Sequence, residues 1–112
     1  MSGALPEFVY TLRPKRVDML LSGPSPEEAE TLRDHVSYLE RLAEEGRVLL
    51  AGRTQTEDES TFGIVLITAA SEADANDIMT NDPAIRGGIM AGQLFPYRIA
   101  VVSPTILTNR SA

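Results

Sequence analysis

One residue in this chain is suited to carry a proton back and forth near neutral pH, and it is the lone histidine, His35. Imidazole is the side chain whose ordinary titration falls closest to working pH, so against a cleft it can act as a general base or acid. At about 100° per residue, Ala29, Leu32, Val36, Leu39, Leu42 and Ala43 gather on one side of the segment 26–45, with His35 among them. Arg33, Asp34, Ser37, Glu40, Arg41 and Glu44 take the other side. Helix position alone favours a plainer alternative, a core-edge histidine bonded to a backbone carbonyl. Asp82 is the second residue of interest. It precedes Pro83, which disfavours helical geometry before it, so the carboxylate stands at a fixed corner; a simple helix-ending turn explains the same pair.

A second tier consists of groups at strand ends and helix flanks that could meet a ligand's oxygens: Tyr10, Arg13, Tyr38, Arg53, Tyr97 and Arg98. Arg53 follows Ala51-Gly52, whose small bulk lets a ligand or another backbone approach, and its guanidinium suits a carboxylate or phenolate. An ion pair with Glu57, Asp58 or Glu59 is the competing expectation. Tyr38 is expected to pack with its hydroxyl in water. Met19, Met79 and Met90 read as core or loop packing, and the glutamates of the first helix as a solvated face.

Several chemistries lack their residues. The absence of cysteine removes disulfides, thiolate nucleophiles and cysteine-ligated zinc, and one histidine cannot build a multi-histidine metal site within one chain. Gly87-Gly88 lacks the flanking lysine of a phosphate loop, and no Gly-x-Ser-x-Gly element occurs. No metal or other cofactor is expected. A formal net charge of -6 disfavours nucleic acid as a partner, leaving a small molecule or another protein. No apolar stretch is long enough to span a bilayer, so no membrane association and a cytoplasmic location are the expectations.

The elements that must position these residues follow from pattern. The 112 residues fit one domain, with a core over about 8–102 and a loosely held tail over 103–112. Alternation over 8–12 predicts a strand with Phe8, Tyr10 and Leu12 on one face. The connection 13–24 carries a Met19-Leu20-Leu21 patch expected to fold back over the domain. Ser25-Pro26-Glu27-Glu28 is a helix start with a capping box, and Gly46 is its stop. Strands are predicted over 47–52 and 61–67, a second helix from Ser71 to the Asn81-Asp82-Pro83 corner, and a last strand over about 93–102. The resulting βαββαβ order is that of an α+β, ferredoxin-like fold, a four-stranded antiparallel sheet with two helices on one face. Ile64-Val65-Leu66-Ile67 and Ile99-Ala100-Val101-Val102 are apolar toward both sides. A two-fold partner covering the open face, hence a homodimer, is therefore expected.

Four short signals in order complete the reading: His35-Val36-Ser37-Tyr38-Leu39, Gly46-Arg47-Val48-Leu49-Leu50-Ala51-Gly52, Asn81-Asp82-Pro83 and Phe95-Pro96-Tyr97-Arg98. Together they resemble the YCII-related proteins over about 8–102. The resemblance implies a dimeric α+β barrel and a paired histidine and aspartate at the active site, here His35 and Asp82. It also implies a relation to lyase-like removal of chloride from a chlorinated hydroquinone. Many relatives carry an aromatic or large residue after the Asp-Pro pair where this chain has Ala84, which implies a wider or differently shaped pocket. In such a pair Asp82 accepts a hydrogen bond from one ring nitrogen while the other takes a proton from substrate, an arrangement worth roughly 10²–10⁴-fold. The expected activity is acid–base chemistry, lyase- or isomerase-like, on a small cyclic or aromatic substrate. The alternatives are a non-catalytic ligand-binding or dimerisation domain and a cofactor-free oxygenase.

Overall fold

The structure, a computed structural model, describes residues 5–106. Strand β1 (Glu7–Pro14) turns Phe8, Tyr10 and Leu12 inward, as alternation predicts, and runs two residues beyond the expected end. Within the following connection a single helical turn, α1 (Asp18–Leu21), buries Met19. Helix α2 (Pro26–Glu44) opens on the predicted capping box. Ser25 Oγ accepts from the Glu28 amide at 3.2 Å, and Glu28 Oε1 accepts from the Ser25 amide at 2.8 Å. Gly46 follows the helix with φ of 78°, the left-handed geometry that favours glycine there.

Strands β2 (Val48–Arg53) and β3 (Gly63–Thr68) form the hairpin, and α3 (Glu72–Thr80) starts at Ser71, whose Oγ accepts from the Asp74 amide at 3.1 Å. A short α4 (Pro83–Arg86) separates it from β4 (Met90–Tyr97). The strands lie in the order β2-β3-β1-β4, every pair antiparallel, which is the ferredoxin-like α+β arrangement. Register sorts the two faces. One row, Ala51-Val65-Tyr10-Leu94, joins Val48-Ile67-Phe8 beneath the helices, where Leu42, Ala75, Ile78, Met79 and Ala84 complete the core. The opposite face carries the row Leu50-Leu66-Val9-Phe95, one apolar residue from each strand.

Three expectations are corrected. The last strand occupies Met90–Tyr97 and not 93–102, because its partner β1 begins at Glu7, directly opposite Tyr97. Past that point, among the described residues, no strand remains to pair with; the Ile99 amide donates to the Glu7 carboxylate at 3.0 Å instead, and Val101 is 91% exposed. Ile99–Val102 therefore form no part of the sheet. Residues 90–92, which precede the predicted start of the last strand, belong to β4, where glycine has a packing role. A Cβ on Gly92 would stand 2.5 Å from Ile85 Cδ1. Ala84 does not widen a pocket, since its side chain is fully buried in the core. Of the predicted loose tail, residues 107–112 lie outside the described residues.

Candidate active site

The Asp82 carboxylate is completely buried, and the chain folds so that three polar groups meet it. Pro83 at the first position of α4 holds Asp82 in extended geometry (φ −62°, ψ 123°), which makes it the N-cap of that turn. Its Oδ1 accepts from the Ala84 amide at 2.9 Å. The same oxygen lies 2.6 Å from His35 Nδ1, contributed by α2, 47 residues away in sequence. Oδ2 accepts from the Tyr10 hydroxyl at 2.7 Å, contributed by β1. Helix α2, the corner before α4 and strand β1 therefore converge on one carboxylate.

His35 lies at the boundary between this buried cluster and an apolar cavity of about 620 Å³, a volume within the range of small-molecule sites. The imidazole is 13% exposed, enough to touch a ligand while its partner stays dry. The cavity is walled by Leu12 of β1, Leu39 of α2, Val48 of β2, Val65 of β3 and Met90 of β4, with Leu20 of α1 closing one side. Among the described residues that line it, His35, Glu40, Arg53 and Thr61 alone carry polar side chains. Thr61 is buried, its Oγ1 3.1 Å from that of Thr54. Arg53 makes no salt bridge among the described residues, so the expected pairing with Glu57, Asp58 or Glu59 does not form. No three of the described His, Asp and Glu residues converge to hold a metal ion.

The other candidates fall elsewhere. Tyr10 is sealed in the core, and burial, followed by the neighbouring Asp82 charge and hydrogen bond, pushes its phenol far above the usual tyrosine range. It faces the carboxylate, not the cavity. The Tyr38 hydroxyl is not left to water; it donates to the Ile78 carbonyl at 2.8 Å, and desolvation raises its titration. Arg13 is exposed, its guanidinium 4.9 Å from the centroid of the Phe62 ring, and Tyr97 and Arg98 are exposed at the end of β4. None of these five lines the cavity. Sequence reasoning missed Thr61 and Glu40 as wall residues. It also read Tyr10 as a ligand contact, although the alternation that puts Tyr10 between Phe8 and Leu12 already implied a buried phenol in need of an acceptor.

A family model for the YCII-related domain matches residues 8–96. The chain belongs to the YCII-related family. Among solved structures it is similar to the 5-chloro-2-hydroxyhydroquinone dehydrochlorinase TftG of Burkholderia phenoliruptrix AC1100, solved with 2,5-dihydroxybenzoquinone. The TM-score is 0.59 at 19% identity, over 83% of this chain and 95% of that one. A provisionally assigned monooxygenase from Shewanella loihica PV-4 matches with a TM-score of 0.49 at 18% identity, over 89% of this chain and all of the other. At 19% identity the likeness to the dehydrochlorinase shows a shared fold alone. A search of curated proteins finds no match. Among the described residues, no helix is long and apolar enough to cross a membrane.

Proposed function

We propose that this YCII-related protein is a small homodimeric enzyme that uses His35 with Asp82 for general acid–base chemistry, lyase- or isomerase-like, on a small cyclic or aromatic organic substrate. The observation that carries this reading is the 2.6 Å contact between His35 Nδ1 and the buried Asp82 carboxylate at the wall of an apolar cavity. With Nδ1 committed to Asp82, Nε2 is the nitrogen available to a molecule in that cavity. It takes a proton from a substrate O–H or C–H, and the imidazolium so formed is stabilised by the carboxylate behind it. Returning that proton to another substrate atom completes an isomerisation. Passing it to a departing group completes an elimination. Neither outcome calls for an external oxidant, because no net electrons leave the substrate. Arg53 at the cavity wall offers a charge for an anionic oxygen of the ligand, while the apolar walls hold its ring.

The dimer is proposed from the open sheet face. Phe95 and Leu50, at the two ends of the apolar row, are 39% and 40% exposed, and a second copy packing sheet on sheet would cover them.

A panel of hydroquinones and related ring compounds, halogenated members included, tests the reading by turnover of wild type against His35→Ala and Arg53→Ala. His35→Ala is expected to lower kcat by roughly 10²-fold or more. Arg53→Ala is expected to raise KM for anionic members selectively. Full turnover in His35→Ala sinks the enzymatic reading. Ligand binding without turnover anywhere on the panel would make the cavity that of a binding module.

A further inference from the structure

We propose that Tyr10 is a positioning residue, whose buried hydroxyl holds the second oxygen of Asp82 and thereby fixes His35 in the tautomer that carries its proton on Nδ1. The inference rests on the reading of His35 as the proton carrier. A carboxylate turns about its last bond with only a broad, two-fold preference, so one anchored oxygen does not set its plane. Here both are anchored independently of the imidazole: Oδ1 by the Ala84 amide at 2.9 Å and Oδ2 by the Tyr10 hydroxyl at 2.7 Å. The plane presented to His35 is consequently set by the backbone of α4 and by β1, one of the two interior strands of the sheet. Tyr10 is fully buried, and among the described side chains Asp82 is its acceptor, so the phenol has no competing use for its proton. Its titration lies well above the usual tyrosine range, through burial first and the Asp82 charge second, which keeps it a donor throughout the working pH range.

A purely structural tyrosine would also donate to the nearest acceptor, so the test must read the imidazole and not stability alone. His35 is the only histidine, so every imidazole signal in a nitrogen-15 spectrum belongs to it. Wild type is expected to show one tautomer, protonated on Nδ1, with a slowly exchanging Nδ1 proton. Tyr10→Phe, which removes one oxygen and keeps the ring, should give a mixture of tautomers and exchange of that proton roughly tenfold faster or more, the order expected for losing one hydrogen bond to a charged group. On a substrate found in the panel, kcat should fall about as much with KM little changed. An unchanged imidazole spectrum in folded Tyr10→Phe overturns the proposal, even if the melting temperature drops.

Should Tyr10→Phe fail to fold, wild type and His35→Ala decide the matter. A slowly exchanging Tyr10 hydroxyl proton that shifts when the imidazole is removed supports a shared carboxylate; absence of that resonance in wild type overturns it. The two levels separate cleanly. Full turnover in His35→Ala defeats the enzymatic reading whatever Tyr10 does to the tautomer. Loss of turnover in His35→Ala, with an unaltered imidazole in Tyr10→Phe, defeats only the role of Tyr10.

Discussion

The hydroxyl of Tyr38 occupies the carbonyl of Ile78, the acceptor that an uninterrupted helix would give to the amide of Asp82. That amide bonds instead to Met79 O at 3.1 Å, so α3 ends with a free carbonyl that α2 fills. Tyr38 lies one turn beyond His35, and the two residues bind the same corner at two points. Removing the hydroxyl in Tyr38→Phe should destabilise the fold by about 1 kcal/mol, the net value of one such bond. Urea titration measures it, and a loss below a few tenths of that would mean that water replaces the hydroxyl freely.

Asp82→Ala should be far more damaging. It strips the acceptor from the Tyr10 hydroxyl and the Ala84 amide in a fully buried place, and from the His35 ring at its edge. Orphaned buried donors cost about 1–3 kcal/mol each, so a loss of about 3 kcal/mol or more is expected by denaturant unfolding. Asp82→Asn keeps the shape and should lose less stability, while still disturbing the histidine tautomer.

How far the sequence alone reaches is clearest around these residues. The capping box at Ser25 and Glu28 and the corner at Asp82 were legible because local chemistry dictates them: a serine three residues before a glutamate, and a proline fixing the residue before it. The register of the sheet was not legible. Ile99–Val102 have a strand's composition, yet β1 offers them nothing to pair with, and only the pairing of Glu7 with Tyr97 reveals this. The same non-local information assigns Tyr10 to Asp82, 72 residues away. His35 and Asp82 were both singled out, but their meeting rests on how α2 lies across the sheet, which no local pattern encodes.

Glu28 joins two jobs, closing the capping box and receiving Arg16 from the segment that precedes α1, with Arg16 Nε 3.0 Å from Oε2. The Arg16 hydrogen bond, aided by that of the Ser25 amide, holds its carboxyl at about 2, below its ordinary 4.5. A depressed carboxylate stabilises the folded state above its unfolded value, and this contribution is lost as pH falls from about 4.5 through about 2. Glu28→Gln, which can still cap, should therefore be less stable than wild type near neutrality and converge on it in acid. Equal stability of the two at pH 7 would show that the pair contributes nothing.

The row Leu50-Leu66-Val9-Phe95 predicts a concentration-dependent dimer. Phe95 sits on the exposed face, so Phe95→Glu should leave the monomer folded and shift sedimentation to the single-chain mass. Sedimentation of wild type as a monomer at high concentration would remove the sheet face from consideration as the contact between copies.

Met19 and Leu20 are neighbours in one helical turn, yet the first is buried and the second forms part of the cavity wall. Swinging that turn outward to admit a molecule would drag Met19 into water, at about 1.5–3 kcal/mol for the side chain alone. The turn thus behaves as a nailed panel and not as a hinged door. Ala51, Gly52 and Arg53, which line the same hollow, are exposed, so the Arg53 charge stands where the cavity meets solvent.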